Sequence, residues 1–229
     1  MRVNIYQLKE DSNVKFMDYD FTQSRGGIDP ADYRCVFRGH IEGDSLEDVY
    51  AALNGDHPGT YQGHSLSVSD VVETVDGNGS EFHFCDAVGW KNVPFDSSQC
   101  AEMEGLRVLM LQPHQPPVET RVMDDLDHWQ RAVSDHGEDA LMEVTYPFED
   151  NCVVVGNEEA KLNGMEGNRR VEGSVYAGPI FLVGDNGEGE FCSLTDDQIE
   201  HYAERFTEPE VIPQEEVQAD SGFFLFGFD

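Results

Sequence analysis

Two tetrapeptides, Asp76-Gly77-Asn78-Gly79 and Gly184-Asp185-Asn186-Gly187, constrain the fold of this 229-residue chain more than any other feature. Each joins two short runs rich in β-branched and aromatic residues, 68–75 with 81–84 and 180–183 with 190–194. Gly, Asn and Asp tolerate the positive φ of tight antiparallel turns, so both stretches are predicted β-hairpins. Further strands are predicted at 2–8 (Val3, Ile5 and Gln7 on one face), 33–41, 106–111, 118–123, 141–146 and 152–155. Ser45, with Asp48 three residues on, starts a helix whose apolar face is Leu46, Val49, Tyr50 and Leu53, and Asn54-Gly55 stops it. Asp124 is the predicted cap of a second helix carrying Leu126, Trp129, Ala132 and Val133. Thr195 and Gln198 form a capping box for a third, with Ile199, Tyr202, Ala203 and Phe206 inward.

The pattern predicts an α+β fold of two small modules, each a mostly antiparallel sheet with one or two packed helices. Hydrophobic patterning stops near residue 97 and restarts at 105, which sets the modules at 1–96 and 105–207 with a linker over 97–104. Residues 208–229 read as an acidic tail ending in Phe223-Phe224-Leu225-Phe226-Gly227-Phe228. An apolar run of that kind either folds back as a strand or plug, or docks on a partner, or serves assembly.

Charge restricts the function classes. Acidic residues number 46 against 14 basic ones, a net charge of −32. Residues 1–100 carry 17 acids and 7 bases, net −10; residues 101–229 carry 29 and 7, net −22. With aromatics at 10%, the chain is not an acidic disordered tail. Repulsion argues against direct binding of nucleic acid or of an anionic membrane. No run of about 18 apolar residues marks a membrane span, and residues 1–10 carry no signal-peptide pattern, so a cytoplasmic location is expected.

The five cysteines, Cys35, Cys85, Cys100, Cys152 and Cys192, are widely spaced without a Cys-x-x-Cys pair, which predicts free, mostly buried thiols. His83 and Cys85 share a strand face but have no second pair to complete a metal site, so neither metal nor other cofactor is expected. His64, Ser65, Ser67, Ser69 and Asp70 hold the residue types of a hydrolytic triad. Sequence neighbours rarely converge that way, and a turn with side-chain-to-backbone hydrogen bonds is the simpler expectation.

The most site-like stretch follows the strand at 152–155. Asn157, Glu158, Lys161, Asn163, Gly164, Asn168, Arg169 and Arg170 mix acids, bases and amides, as a pocket for a small polar or anionic ligand would. A loop pinned by Asn–backbone bonds and ion pairs is the alternative. The acidity offers a different site. Asp124, Asp125, Asp127, Asp135, Glu138, Asp139, Asp196, Asp197 and Glu200 include pairs at helical spacing, about 5–6 Å apart. Rows of carboxylates present a field comparable to that of duplex DNA, at about one charge per 1.7 Å. Plain solvation and adaptation to high salt account for acidity as well.

Residues 33–95 resemble the YodL-like domain of phage and conjugative-element proteins. The resemblance rests on Tyr33-Arg34-Cys35-Val36-Phe37-Arg38-Gly39, on Gly63-His64-Ser65-Leu66-Ser67-Val68-Ser69-Asp70-Val71-Val72, and on Phe82-His83-Phe84-Cys85-Asp86-Ala87-Val88-Gly89-Trp90. Residues 106–206 are similar to a second uncharacterised domain family that often accompanies it. Here the motifs are Val144-Thr145-Tyr146-Pro147-Phe148, Asn157-Glu158-Glu159-Ala160-Lys161-Leu162-Asn163-Gly164, Asn168-Arg169 and Phe191-Cys192-Ser193-Leu194-Thr195-Asp196. The resemblance implies a setting on mobile bacterial DNA, beside genes that protect the incoming element from its host. The expectation is a non-enzymatic acidic accessory protein that binds a basic, DNA-handling partner, such as a host defence nuclease, as a DNA mimic or antirestriction factor.

Overall fold

The computed structural model describes residues 1–134 and 140–220. The chain forms two compact units, 1–104 and 105–229, and the fold is α+β with two antiparallel sheets, a separate hairpin and a few short helices. Asp135, Glu138, Asp139 and the Phe-rich stretch 221–229 lie outside the described residues.

In the first unit, β1 (Arg2–Leu8), β2 (Tyr33–His40), β3 (Val71–Asp76), β4 (Gly79–Cys85) and β5 (Trp90–Asn92) form a sheet in the order β2-β1-β3-β4-β5. Both faces are covered. Val3, Ile5, Phe37 and Val72 pack with Val49 and Leu53 at α2 (Leu46–Ala52). Tyr6, Leu8, Tyr33, Val71 and Phe84 pack with Val14, Phe95 and Met103, and with Tyr19 of the short α1 (Tyr19–Ser24). Side-chain alternation lets β1 serve both layers, and a bulge in β2 opposite Ile5/Tyr6 puts both Val36 and Phe37 in the α2 layer. The β3–β4 hairpin closes through Gly77-Asn78, with Asp76 accepting from the Asn78 N–H at 2.7 Å and φ of +133° at Gly79. Ser45 and Asp48 form the expected capping box.

Residues 97–104, expected as a linker, belong to this unit. Ala101 runs beside β2, its N–H donating to the Tyr33 carbonyl at 3.0 Å while its own carbonyl accepts from the Cys35 N–H at 2.9 Å. Met103 is buried in the core. The polar Ser97-Ser98-Gln99 turn masks this continuity in the sequence.

The second unit places β6 (Leu106–Leu111), β7 (Val118–Val122), β8 (Met142–Thr145), β9 (Cys152–Asn157), β12 (Ile180–Asp185) and β13 (Phe191–Cys192) in one sheet. Its order is β7-β6-β12-β9-β8, with β13 also on β12. Its central strands are nearly continuous apolar runs because both faces are buried. Val108, Met110, Val153, Val155, Phe181 and Val183 face Trp129 of α3 (Leu126–Ala132). Leu109, Leu111, Val154 and Leu182 face Tyr202 and Phe206 at α4 (Asp196–Arg205). A separate hairpin, β10 (Gly167–Val171) with β11 (Ser174–Ala177), adds Val171 and Tyr176 to that layer. The segment after α4 packs through Ile212 and through Val217 of α5 (Gln214–Asp220) against Ala160, Val175 and Ala177. Thr195 and Gln198 make the expected capping box. The cap of α3 is Asp125 rather than Asp124, its carboxylate accepting from the His128 N–H at 3.0 Å, and Leu126 is exposed instead of inward.

Gly105, where the second unit begins, has φ of +93°, and a Cβ there would lie 2.2 Å from the Val122 carbonyl oxygen. Gly105→Ala should therefore cost about 1–3 kcal/mol, through strain and backbone displacement. Gly77→Ala, with open space around it, should change stability by no more than about 0.5 kcal/mol. Urea unfolding of both variants checks this, and equal midpoints would contradict it.

Candidate functional site

The stretch 157–170 divides into two parts with different surroundings. Its first part is a single turn. Asn157 ends β9, and its side-chain oxygen accepts from the Glu159 N–H at 2.9 Å. The Met165 N–H reaches back to the Ala160 carbonyl at 3.0 Å, and Gly164 closes the turn at φ of +75°. Asn157, Glu158 and Lys161 line a groove of about 450 Å³, together with β8, β11 and Asp220 at the end of α5. Asn163 lies on the exposed side of the turn, outside the groove lining.

The second part faces the core. Asn168 and Arg169 are fully buried. The Asn168 amide donates to the carbonyls of Leu111 at 2.8 Å and Gly178 at 2.6 Å. Arg169 donates to the carbonyls of Asn168 at 3.0 Å, Gln115 at 2.7 Å and Phe206 at 3.5 Å. Burial lowers the pKa of its guanidinium, partly offset by Glu210. These side chains are spent on the backbone and do not line the groove. Arg170 is bound to Glu216 through Nε at 2.8 Å and Nη2 at 2.7 Å, and to Glu210 through Nη1 at 2.5 Å.

The groove's chemistry is acidic and apolar rather than anion-binding. Its one lysine, Lys161, donates to Asp220 at 2.6 Å, and Glu143, Glu158 and Glu159 are the other charged lining residues. The Thr145 and Tyr176 hydroxyls bond each other at 2.6 Å. Of the small polar or anionic ligands expected for the 157–170 stretch, an anion would meet repulsion from these carboxylates.

Asp124, Asp125, Asp127, Asp196, Asp197 and Glu200, the described members of the acidic set, lie near one end of the second sheet. The Arg107 N–H donates to the Ser193 hydroxyl at 3.0 Å, and Leu106 pairs with Val122. The starts of α3 and α4 thus lie beside the start of β6, on opposite faces of the sheet. Asp124, Asp127, Asp197 and Glu200 are exposed there. Asp125 caps α3, and its hydrogen bonds with His128 hold its carboxyl below the usual range. Asp196 pairs with Arg107, which also grips Glu119.

In the first unit, His64 and Asp70 meet in a buried polar cluster built on Gln7. The Gln7 amide donates to the His64 carbonyl at 2.8 Å and to Asp70 at 3.0 Å, and its oxygen accepts from the His64 N–H at 3.0 Å. Asp70 also accepts from the Ser67 N–H at 2.8 Å, and the Ser69 hydroxyl accepts from the Phe16 N–H at 2.9 Å. His64 Nδ1 faces the Ser65 carbonyl at 2.8 Å, whereas His64 Nε2 and Asp70 Oδ1 are buried without a partner. No serine hydroxyl bonds either ring nitrogen, so the nucleophile–base contact of a triad is not formed. The cluster instead binds the 64–70 turn to β1. Sequence reasoning missed Gln7 as its hub; a glutamine sharing a face with Val3 and Ile5 was the available signal.

All five cysteines are free, and burial pushes the Cys35 thiol up to about 11 and Cys85 and Cys152 to about 12. His83 is bonded to Asn92 at 2.9 Å and Thr74 at 3.2 Å. Among the described residues, no group of three or more His, Cys, Asp or Glu is placed to hold a metal, and no helix is long and apolar enough to cross a membrane.

Residues 2–95 match the YodL-like domain, and residues 106–207 match a domain of unknown function (DUF3846). No curated protein and no solved structure matches the chain.

Burial raises the Asp70 carboxyl to about 8, against the opposing bonds from Ser67 and Gln7. The folded state therefore holds this proton more tightly than the unfolded chain. The associated stability is complete below about pH 4 and is lost as pH rises toward 8. Asp70→Asn keeps both acceptor bonds and replaces the proton by a fixed donor. The parent chain should lose stability relative to that variant between pH 5 and 8, by at most about 1.4 kcal/mol per unit. Urea unfolding at several pH values tests this; parallel profiles would contradict it.

Proposed function

We propose that this chain, a YodL-like domain followed by a domain of unknown function (DUF3846), is a non-enzymatic acidic accessory protein. In this reading it serves a mobile genetic element by binding a basic, DNA-handling partner. The carrying observation is the use of the second unit's few cations. Arg107 is held by Glu119 and Asp196, Lys161 by Asp220, Arg170 by Glu210 and Glu216, and Arg205 by Glu172. Arg169 is buried, and Arg121 and Arg131 donate to the carbonyls of Gly105 and Asp127. Positive charge is thus tied down locally, in a stretch, residues 105–229, whose 27 acids outnumber its 7 bases for a net charge of −20.

A field of that sign attracts the surface that normally receives DNA phosphates. Steering of this kind speeds encounter and excludes acidic partners. The exposed carboxylates at the starts of α3 and α4 are the proposed contact region. Blocking a host nuclease, as an antirestriction factor or DNA mimic does, is the corresponding biological role.

The test neutralises these groups while keeping shape. Asn at position 125 can still cap α3, and Asp196 is left intact because Arg107 needs it. The variant carrying Asp124→Asn, Asp125→Asn, Asp127→Asn, Asp197→Asn and Glu200→Gln should bind the captured basic partner on the order of tenfold more weakly at low salt. Binding of the parent chain should fall as salt shortens the screening length to about 8–10 Å, and duplex DNA should compete for the partner. Pull-down followed by competition binding measures all three. Capture of no basic DNA-handling protein, or equal affinity for the neutralised variant, would contradict the proposal.

A further inference from the structure

The groove of the second unit exposes apolar side chains in a concave site. Leu141 and Leu162 line it and are 51% and 61% exposed, while Val154, Ala177 and Ile180 contribute to its walls. Several of its polar groups are already engaged with one another, as the Thr145–Tyr176, Lys161–Asp220 and Asn157–Glu159 bonds record. Such a site has more to gain from an apolar occupant than from a polar one.

The chain carries an apolar segment to this place. Asp220 lines the groove, and its carboxylate is fixed by the Val175 N–H at 3.1 Å and by Lys161 at 2.6 Å. Val217, three residues earlier, is fully buried. The described residues therefore end at an anchored point on the groove's rim, Asp220. The sequence continues Ser221-Gly222-Phe223-Phe224-Leu225-Phe226-Gly227-Phe228-Asp229. Ser221 and Gly222 are small, and glycine is the residue type with the widest choice of backbone angles. Nine extended residues reach about 30 Å, ample to fold back over the groove. Asp229, the segment's one acid, is the residue farthest from Asp220, so it can stay clear of Glu143, Glu158 and Glu159.

We propose that the groove is the seat of segment 221–229 of the same chain, with Phe223 and Phe224 entering it first. This occupant covers Leu141 and Leu162 and keeps four phenylalanines from solvent. The proposal is independent of the acidic contact region, which involves the starts of α3 and α4.

Two measurements on the purified protein test it. First, Phe224 is replaced by the photo-crosslinking analogue p-benzoylphenylalanine in the full chain, and crosslinks formed in dilute solution are mapped by mass spectrometry. They should fall within 141–145, 158–162 or 174–177 of the same molecule. Second, amide hydrogen exchange is compared between the full chain, a chain stopped after Asp220, and the full chain carrying Phe223→Ser and Phe224→Ser. Exchange in those segments should rise at least tenfold in both altered proteins, which retain the α5 anchor. Crosslinks only between molecules would assign the groove to a second copy and overturn the same-chain seat. Crosslinks elsewhere or none at all, or unchanged exchange, would overturn the proposal outright.

Discussion

Arg169 is buried without a salt bridge: Glu210 offsets part of the burial, Nε has no partner, and Nη1 and Nη2 donate to amide oxygens. One of these belongs to Phe206, at the C-terminal end of α4, where the helix dipole favours a cation. A buried ion without an ionic partner is expensive unless hydrogen bonds satisfy it closely. Here the donors also serve the acceptors. Asn168 and Arg169 together satisfy carbonyls of Leu111, Gln115, Gly178 and Phe206. These lie at the end of β6, in the β6–β7 turn, before β12 and at the end of α4, so one dipeptide in β10 ties together parts distant in sequence. The second unit's hairpin, α4 and central strands depend on that knot for their relative placement.

Local signals in the sequence were legible where the physics is local. The β3–β4 and β12–β13 hairpins, the Ser45–Asp48 and Thr195–Gln198 capping boxes and strands β1 and β6 follow from turn chemistry, caps and apolar periodicity. Where polar groups are buried, the same rules mislead. Asn168-Arg169 reads as surface because neither residue type is usually interior, and only long-range carbonyl partners make the site tolerable. Residues 97–104 read as a linker because their polar turn hides Ala101 and Met103, which complete the first unit. The acidic segment 208–220 reads as a tail, yet its buried Ile212 and Val217 anchor it, and Arg170 and Lys161 bind Glu210, Glu216 and Asp220.

The candidate sites were legible to different degrees for the same reason. Asn157, Glu158 and Lys161 do gather at a groove, because they follow a buried strand and enter a turn. The sign of that groove was not legible. It depends on Asp220, 59 residues from Lys161, which neutralises the one lysine that suggested an anion. The exposed acids at the starts of α3 and α4 are visible in the sequence as helix-spaced pairs, but their grouping around one end of the sheet requires the pairing of β6 with β7. In the first unit, His64 and Asp70 were visible and Gln7, which joins them, was not singled out for that role.

The dual nature of 157–170, groove turn first and structural knot second, is tested most directly by unfolding Asn168→Ala in urea. Trp90→Phe in the background leaves Trp129, in the core of the second unit, as the sole tryptophan reporter. Two buried carbonyls lose their donor, so the second unit should lose about 2–4 kcal/mol, while Asn163→Ala on the exposed side of the turn should change stability by less than about 0.5 kcal/mol. If Asn168→Ala unfolded at the same urea concentration as its parent, the knot would not be holding the unit together and the account would fail.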